Sequence, residues 1–323
     1  MNILITGVAG FIGSKLSEEF LRDKRNKVYG IDNINSYYSI KLKNLILNKL
    51  KKKKNFKFYK FDLKKKQKFN LLKNIKFDLV YHFAAQAGVR FTLSEPKKYF
   101  DDNFIAYLNM LDFIKKNNIR KFFFASSSSV YGDQKKYPLS ETNKLKEKNF
   151  YGFSKKMNET IALTFSNTYN IQMIGLRFFT VYGEWGRPDM LIFKYLKENL
   201  DKKTFILNEG GKHLRDFTYI EDVVKILIKL SKIKIKKKYE IFNICSNKPI
   251  KVKKVIDLIN SKFRDFKFIS KSSKQLKKIE VKITHGNNNK IKKLVRNHKF
   301  KKFKSALSNT VNWYLENNIH KIT

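Results

Sequence analysis

Tyr151 and Lys155 stand four residues apart in YGFSK, a spacing that places both on one face of a helix. An ammonium beside a phenol favours the phenolate and lowers its pKa, which makes a base usable near neutral pH. About twenty residues earlier the apolar run KFFFA breaks into four serines, Ser126 to Ser129, and then VYG. A buried strand that stops in hydroxyls delivers them to the carboxyl edge of a sheet, where α/β proteins bind ligands. A serine run can instead be a polar loop capping a helix. Coming straight after an apolar strand, this one reads as part of a site. The base then needs a substrate and a cofactor at the same edge.

The elements that position these residues alternate strand and helix. Residues 2–6, NILIT, predict a short strand, followed by Gly7, Gly10 and Gly13 in GVAGFIG and a helix to about Arg22. Glycines after a strand let the backbone turn sharply and approach a pyrophosphate resting on the helix N-terminus. A second strand, KVYGID, ends at Asp32, where an acid can take the adenosine ribose hydroxyls. That carboxylate repels a 2′-phosphate and no Arg follows it, so NAD is favoured over NADP. A helix is expected over 37–53. Strand FKFYKFDL then ends in Asp62 and Leu63, and strand FDLVYHFAA in Ala84 and Ala85, residues small enough to admit a cofactor. His82, inside that strand, reads as structural. A helix over 95–117, a strand over 120–126, the Tyr151 helix over 149–169 and a strand over 171–179 complete the series.

Such alternation predicts an α/β fold, a Rossmann-like doubly wound parallel sheet with right-handed crossovers. Residues 1–177 form the expected dinucleotide-binding domain, and 178–323 mainly a smaller C-terminal substrate-binding region. That region shows Gly- and Asp-rich loops and shorter helices near 188–200, 220–230, 249–262 and 305–318. Strand YEIFNI at 239–244, within 224–248, is apolar enough to return to the main sheet.

The 323 residues carry 70 Lys and Arg against 27 Asp and Glu, a formal net charge of +43. Only nine of the basic residues are Arg, and the lysines are scattered. This pattern favours compositional drift over a nucleic-acid partner, which would ask for a clustered patch. The field still attracts small anions. Arg90, Arg177, Arg187 and Arg215 fall inside the motif-like stretches, where a planar guanidinium serves bidentate contacts. One cysteine, Cys245, fits a reducing cytoplasm, and no apolar run reaches the roughly 18 residues of a membrane span. No metal is expected.

Together, GVAGFIG, Asp32, the serine cluster before VYG, and Tyr151 with Lys155 resemble the extended short-chain dehydrogenase/reductase family of sugar-nucleotide epimerases and dehydratases. AAQAGVR (84–90), RFFTVYGEWGRPDM (177–190) and RDFTYIEDV (215–223) are similar to its UDP-glucuronate 4-epimerase branch. The resemblance spans roughly residues 1–245. It implies that Gly7, Gly10 and Gly13, with the amides of Phe11 and Ile12, cradle the NAD pyrophosphate. Asp32 and Asn33 would hold the adenosine ribose, and Asp62 and Leu63 the adenine. Ala84, Ala85, Gln86, Asn103 and Ser126 would complete the cofactor site. Tyr151 would be the base, Lys155 would bind the nicotinamide ribose and lower the tyrosine pKa, and Ser127 would hydrogen-bond the sugar 4-hydroxyl. Ser128, Ser129 and Thr180, with Arg90, would hold a substrate carboxylate, and Arg187 and Arg215 the nucleotide end. A homodimer through helices 95–117 and 149–169 is implied as well.

The implied reaction is a 4-epimerisation. Tyr151 takes the C4 hydroxyl proton as hydride leaves C4; the 4-keto sugar turns over and hydride returns to its other face. With a glucuronate this keto sugar is a β-keto acid, so its carboxylate must be held still. Dehydratases of the family place Asp-Glu directly after the catalytic hydroxyl, where this chain has Ser128 and Ser129. Decarboxylating relatives also need an acid in that loop. A UDP-glucose or UDP-N-acetylhexosamine 4-epimerase shares the machinery and remains the alternative substrate reading; an inactive nucleic-acid-binding protein on the same fold is the alternative of another class. After 245 the likeness weakens: a Gln-Pro-Gly-Asp-Val stretch of the family reads KKIEV at 277–281.

Overall fold

The computed structural model describes residues 1–263 and 265–323. Six strands come from residues 1–178: β1 (Asn2–Thr6), β2 (Lys27–Asp32), β3 (Phe56–Lys60), β4 (Leu79–His82), β5 (Lys121–Ser127) and β6 (Gln172–Phe178). After them come β7 (Thr180–Tyr182), β8 (Phe205–Asn208), β9 (Leu214–Tyr219) and β10 (Tyr239–Ile244). The last of these returns to the first six, giving a seven-stranded sheet in the order β10-β6-β5-β4-β1-β2-β3. Every pairing in it is parallel. The order reverses between β1 and β4, and a doubly wound sheet opens its ligand crevice there, at the carboxyl ends of the strands.

Strand β5 shows why its apolar run is continuous. Successive side chains point to opposite faces. Phe122 and Phe124 pack with Leu4, Val80 and Tyr107, while Phe123 packs on the other layer with Ile3, Ile5 and Tyr81. All three rings are wholly buried, each contributing roughly 2 kcal/mol. Helices cover both faces: α1 (Phe11–Phe20), α2 (Ile40–Lys51), α3 (Lys97–Phe100), α4 (Ala106–Lys116), α5 (Phe150–Tyr169), α6 (Leu191–Leu200) and α7 (Ile220–Lys232).

Two of these elements differ from expectation in ways that matter for the site. The helix expected over 95–117 is α3 and α4 joined by a wider π-turn, Asp101–Ile105. Such turns re-aim a side chain, here Asn103. Helix α5 starts at Asn149, whose side chain accepts from the Gly152 amide at 2.8 Å, and stops at Asn170 in the left-handed region, φ 54°. Those caps fix where Tyr151 sits: in the first turn.

The C-terminal part adds β11 (Pro249–Lys251), α8 (Val252–Asn260), β12 (Phe268–Lys271), α9 (Lys274–Ile279), α10 (Asn289–Leu294) and α11 (Phe303–Glu316). Where loops and helices were expected, two small sheets appear: β9 pairs with β7 and β11, and β8 with β12. The strands are three to six residues long and find partners far along the chain, so no local alternation announces them. Asp216 on β9 ties the region together, its carboxylate accepting from the Ser246, Asn247 and Gly286 amides and the Ser246 hydroxyl.

Candidate active site

A cleft of about 550 Å³ opens over the carboxyl ends of the main sheet. Gly7, Gly10, Phe11, Ile12 and Gly13 form its floor beside β1. Gly7 has φ +72°, and a Cβ there would lie 2.7 Å from the Ala84 amide nitrogen. Helix α1 begins at Gly10 with no side-chain cap, leaving its first amides to an outside acceptor. A glycine cradle under an uncapped helix N-terminus fits a dinucleotide pyrophosphate.

Asp32 ends β2 at the edge of the same cleft, its oxygens accepting from the Ala9 and Ile34 amides at 3.0 and 2.8 Å. Burial pushes its pKa up, against those amides and the charge of Lys43. Asn33, Asp62, Leu63, Ala84 and Ala85 also line the cleft. Lys43 was not foreseen: it folds back from α2 to line the pocket, with Nζ 2.7 Å from both the Asn35 carbonyl and its side-chain oxygen. Its position, eleven residues after Asp32 on a helix face, carries no local signal. It supplies a cation beside Asp32, a charge that the absence of a following Arg did not lead one to expect.

Gln86 and Asn103 do not line the cleft. They clasp each other behind it: the Gln86 amide donates to Asn103 Oδ1 at 2.7 Å, and Asn103 Nδ2 donates to the Gln86 carbonyl and to Ser154 Oγ, both at 3.0 Å. Asn103 thus fixes the loop after β4 against α5. Ser126 borders the cleft, but its hydroxyl is taken up by Glu159, donating to Oε1 at 2.5 Å. His82 is buried, with Nδ1 2.9 Å from Thr6 Oγ1, and burial drops its pKa to about 3.

Ser127, Ser128, Ser129, Tyr151, Lys155 and Thr180 all reach the cleft. The electrostatics differ from the simple ammonium–phenol pair. Lys155 is 2% exposed, and its Nζ stands 5.9 Å from the Tyr151 ring centroid. Burial alone pulls its pKa down to about 8. Burial also raises Tyr151, opposed by the charge of Arg187 and a hydrogen bond from Ser127. The i, i+4 spacing brings Lys155 and Tyr151 to one face, both lining the cleft. The charge of Arg187 thus favours the phenolate.

Arg187 and Arg215, grouped in the sequence as nucleotide contacts, occupy separate neighbourhoods. Arg187 pairs with Asp189 and donates to Tyr37 Oη at 3.1 Å, close to Gly88. Tyr37 and Asp189 complete this bridge with a 3.2 Å hydrogen bond and were not foreseen, since 152 residues separate them. Arg215 donates to the Leu214 and Lys282 carbonyls, with Glu280 and Arg90 nearby. Arg90 donates to Glu280 at 2.7 Å, so the divergent 277–281 stretch places its carboxylate on the arginine expected to face a substrate anion. Arg90, Arg187, Arg215, Glu280, Tyr37 and Asp189 all border the cleft.

The model of the NAD dependent epimerase/dehydratase family matches residues 3–245. An uncharacterized protein of Methanocaldococcus jannaschii is 40% identical, covering 98% of this chain and 97% of that protein. A UDP-glucuronate 4-epimerase of Thermodesulfobacterium geofontis is 36% identical over 97% of this chain and 96% of its own. The crystal structure of UDP-glucuronic acid 4-epimerase from Bacillus cereus, in complex with UDP-glucuronic acid and NAD, superposes with a TM-score of 0.89 at 28% identity, covering 98% and 99% of the two chains. No helix among the described residues is long and apolar enough to cross a membrane. With the glycine cradle, Asp32 and the Tyr151–Lys155 helix gathered at one crevice, this chain belongs to the NAD dependent epimerase/dehydratase family and is an NAD-using epimerase.

Proposed function

We propose that the protein interconverts UDP-glucuronate and UDP-galacturonate through a 4-keto sugar. The observation that carries this reading is the end of β5, where Ser127, Ser128 and Ser129 meet Tyr151 and Thr180 in one cleft with no acid at positions 128 and 129. Elimination across C5–C6 needs an acid–base pair at that point; epimerisation needs only one base and hydroxyls. Tyr151 takes and returns the proton of the 4-hydroxyl, and Ser127 orients it. Lys155 holds the nicotinamide ribose, and Asp32 with Lys43 the adenosine ribose. When bound, NAD supplies reversible acceptance of a hydride.

Ser128, Ser129 and Thr180 offer three hydroxyls to a substrate carboxylate, and neutral donors suit a group that must be held but not protonated. Arg90 and Arg215 favour the diphosphate side, once the substrate anion displaces Glu280. The similarity to UDP-glucuronate 4-epimerases along nearly the whole chain supports the same substrate. A homodimer is also proposed: α4 and α5 and the turn before α4 leave Ile105, Leu108, Phe150, Phe153 and Leu163 exposed, an apolar set that a second copy would cover. The lone buried Cys245 supports a reducing, cytoplasmic setting.

Purified protein incubated with UDP-glucuronate and NAD tests the reading by chromatographic separation of products. UDP-galacturonate is expected, and Tyr151→Phe should abolish it. Turnover of UDP-glucose or its N-acetylhexosamine counterparts instead would overturn the substrate assignment while sparing the mechanism.

A further inference from the structure

Behind the serine turn, a buried network runs from the catalytic helix to both ends of that turn. Its centre is the Arg177–Glu159 ion pair, each side chain 5% exposed. Arg177 Nε and Nη2 meet the two Glu159 oxygens at 2.8 Å each, the bidentate fork that only arginine offers. Glu159 lies on α5, four residues beyond Lys155 and eight beyond Tyr151, so all three share a helix face. The same Glu159 Oε1 accepts the Ser126 hydroxyl at 2.5 Å. On the other side, Arg177 Nη1 donates to Tyr131 Oη at 2.8 Å, and Tyr131 donates onward to Asn243 Oδ1 at 2.7 Å.

Ser126 is the residue before Ser127, and Tyr131 is the residue that closes the turn Ser128–Val130. One ion pair therefore grips the serine segment at both ends and fastens it to the helix that carries Tyr151 and Lys155. The β5–β6 ladder holds the Ser127 backbone opposite Phe178, but among the described residues its hydroxyl contacts only Ser129 and the Tyr151 phenol. We propose that Arg177 and Glu159 are positioning residues that set the distance between the Ser127 hydroxyl and the Tyr151 phenol, with Ser126 and Tyr131 as the two arms. Burial of the pair keeps the arms stiff, because a side chain in a dry interior has few alternative partners.

This inference rests on the epimerase reading, and its test separates the two. Ser126→Ala and Tyr131→Phe each remove one arm while leaving the ion pair and the ring packing. Each should lower kcat on UDP-glucuronate about ten-fold, with KM changed less than two-fold, because the arms shape the reacting geometry rather than the nucleotide grip. Arg177→Lys keeps the charge but cannot serve both Glu159 oxygens and Tyr131 at once, so it should behave like Arg177→Met and give no rescue. Thermal melting of each variant checks that the protein is folded at the assay temperature. Folded arm variants with wild-type kcat would overturn the proposal, as would full rescue by Arg177→Lys. A wild-type protein that converts no UDP-sugar would instead sink the parent reading.

Discussion

Replacing Lys155 with Met should stabilise the ligand-free protein while abolishing turnover. The ammonium is 2% exposed, with burial as the one cause displacing its pKa. A fall from 10.5 to about 8 corresponds to roughly 3 kcal/mol against the charged form, at about 1.36 kcal/mol per pH unit. The sign follows from proton binding. Below pH 8 both the folded and unfolded chains hold the proton, and the full penalty applies. Between 8 and 10.5 the unfolded chain holds more, so wild-type stability rises with pH. Met keeps a stem of similar shape without the charge and gains the penalty back. Urea unfolding at pH 7, followed by far-UV circular dichroism and by the packed Trp185–Trp313 pair, should show a higher midpoint for the variant. With an m-value of about 4 kcal/mol/M for a chain of this size, the shift is roughly 0.7 M. At pH 10 it should shrink to about a quarter, since the native lysine has by then shed its proton. An unchanged or lower midpoint at pH 7, or a gain independent of pH, would refute the reasoning.

Three further outcomes are expected. His82 stays neutral down to about pH 3 while the unfolded chain takes its proton near 6.5, so stability should fall by up to about 1.4 kcal/mol per pH unit below 6.5; His82→Gln should flatten that slope by one proton in denaturation curves at pH 4.5, 5.5 and 6.5. Gly7→Ala combines a left-handed φ of +72° with a Cβ 2.7 Å from the Ala84 nitrogen, a cost of about 3 kcal/mol, and calorimetric NAD titration should show affinity about a hundred-fold weaker. Leu163→Asp, on the exposed face of α5, should convert a dimer to a monomer in light scattering, and a monomeric wild type would remove the basis for that variant.

What could be read from the sequence was whatever one element fixes by its own period. Glycines three apart after a strand, an acid at the end of the next strand, and Tyr151 four before Lys155 needed no knowledge of neighbours, and all of them face the cleft. What was missed crosses the chain. Tyr37 reaches Asp189, Arg90 reaches Glu280 and Lys43 folds back beside Asp32, each across a gap that no periodicity spans. The role of Ser126 lies between these cases. Alternation along β5 already sends Ser126 and Ser127 to opposite faces, so a cofactor contact through the Ser126 hydroxyl could have been doubted from the sequence. That its partner would be Glu159 could not.

The Tyr151–Lys155 pair shows the deeper limit. Spacing says which side chains share a face, but pKa depends on how dry that face is, and dryness is a property of everything packed around it. Here dryness lowers the lysine's own pKa, and Arg187, itself held by Asp189 and Tyr37, adds its charge in favour of the phenolate. An ammonium in so dry a place is a standing cost to the fold, which is why its removal in Lys155→Met should raise stability.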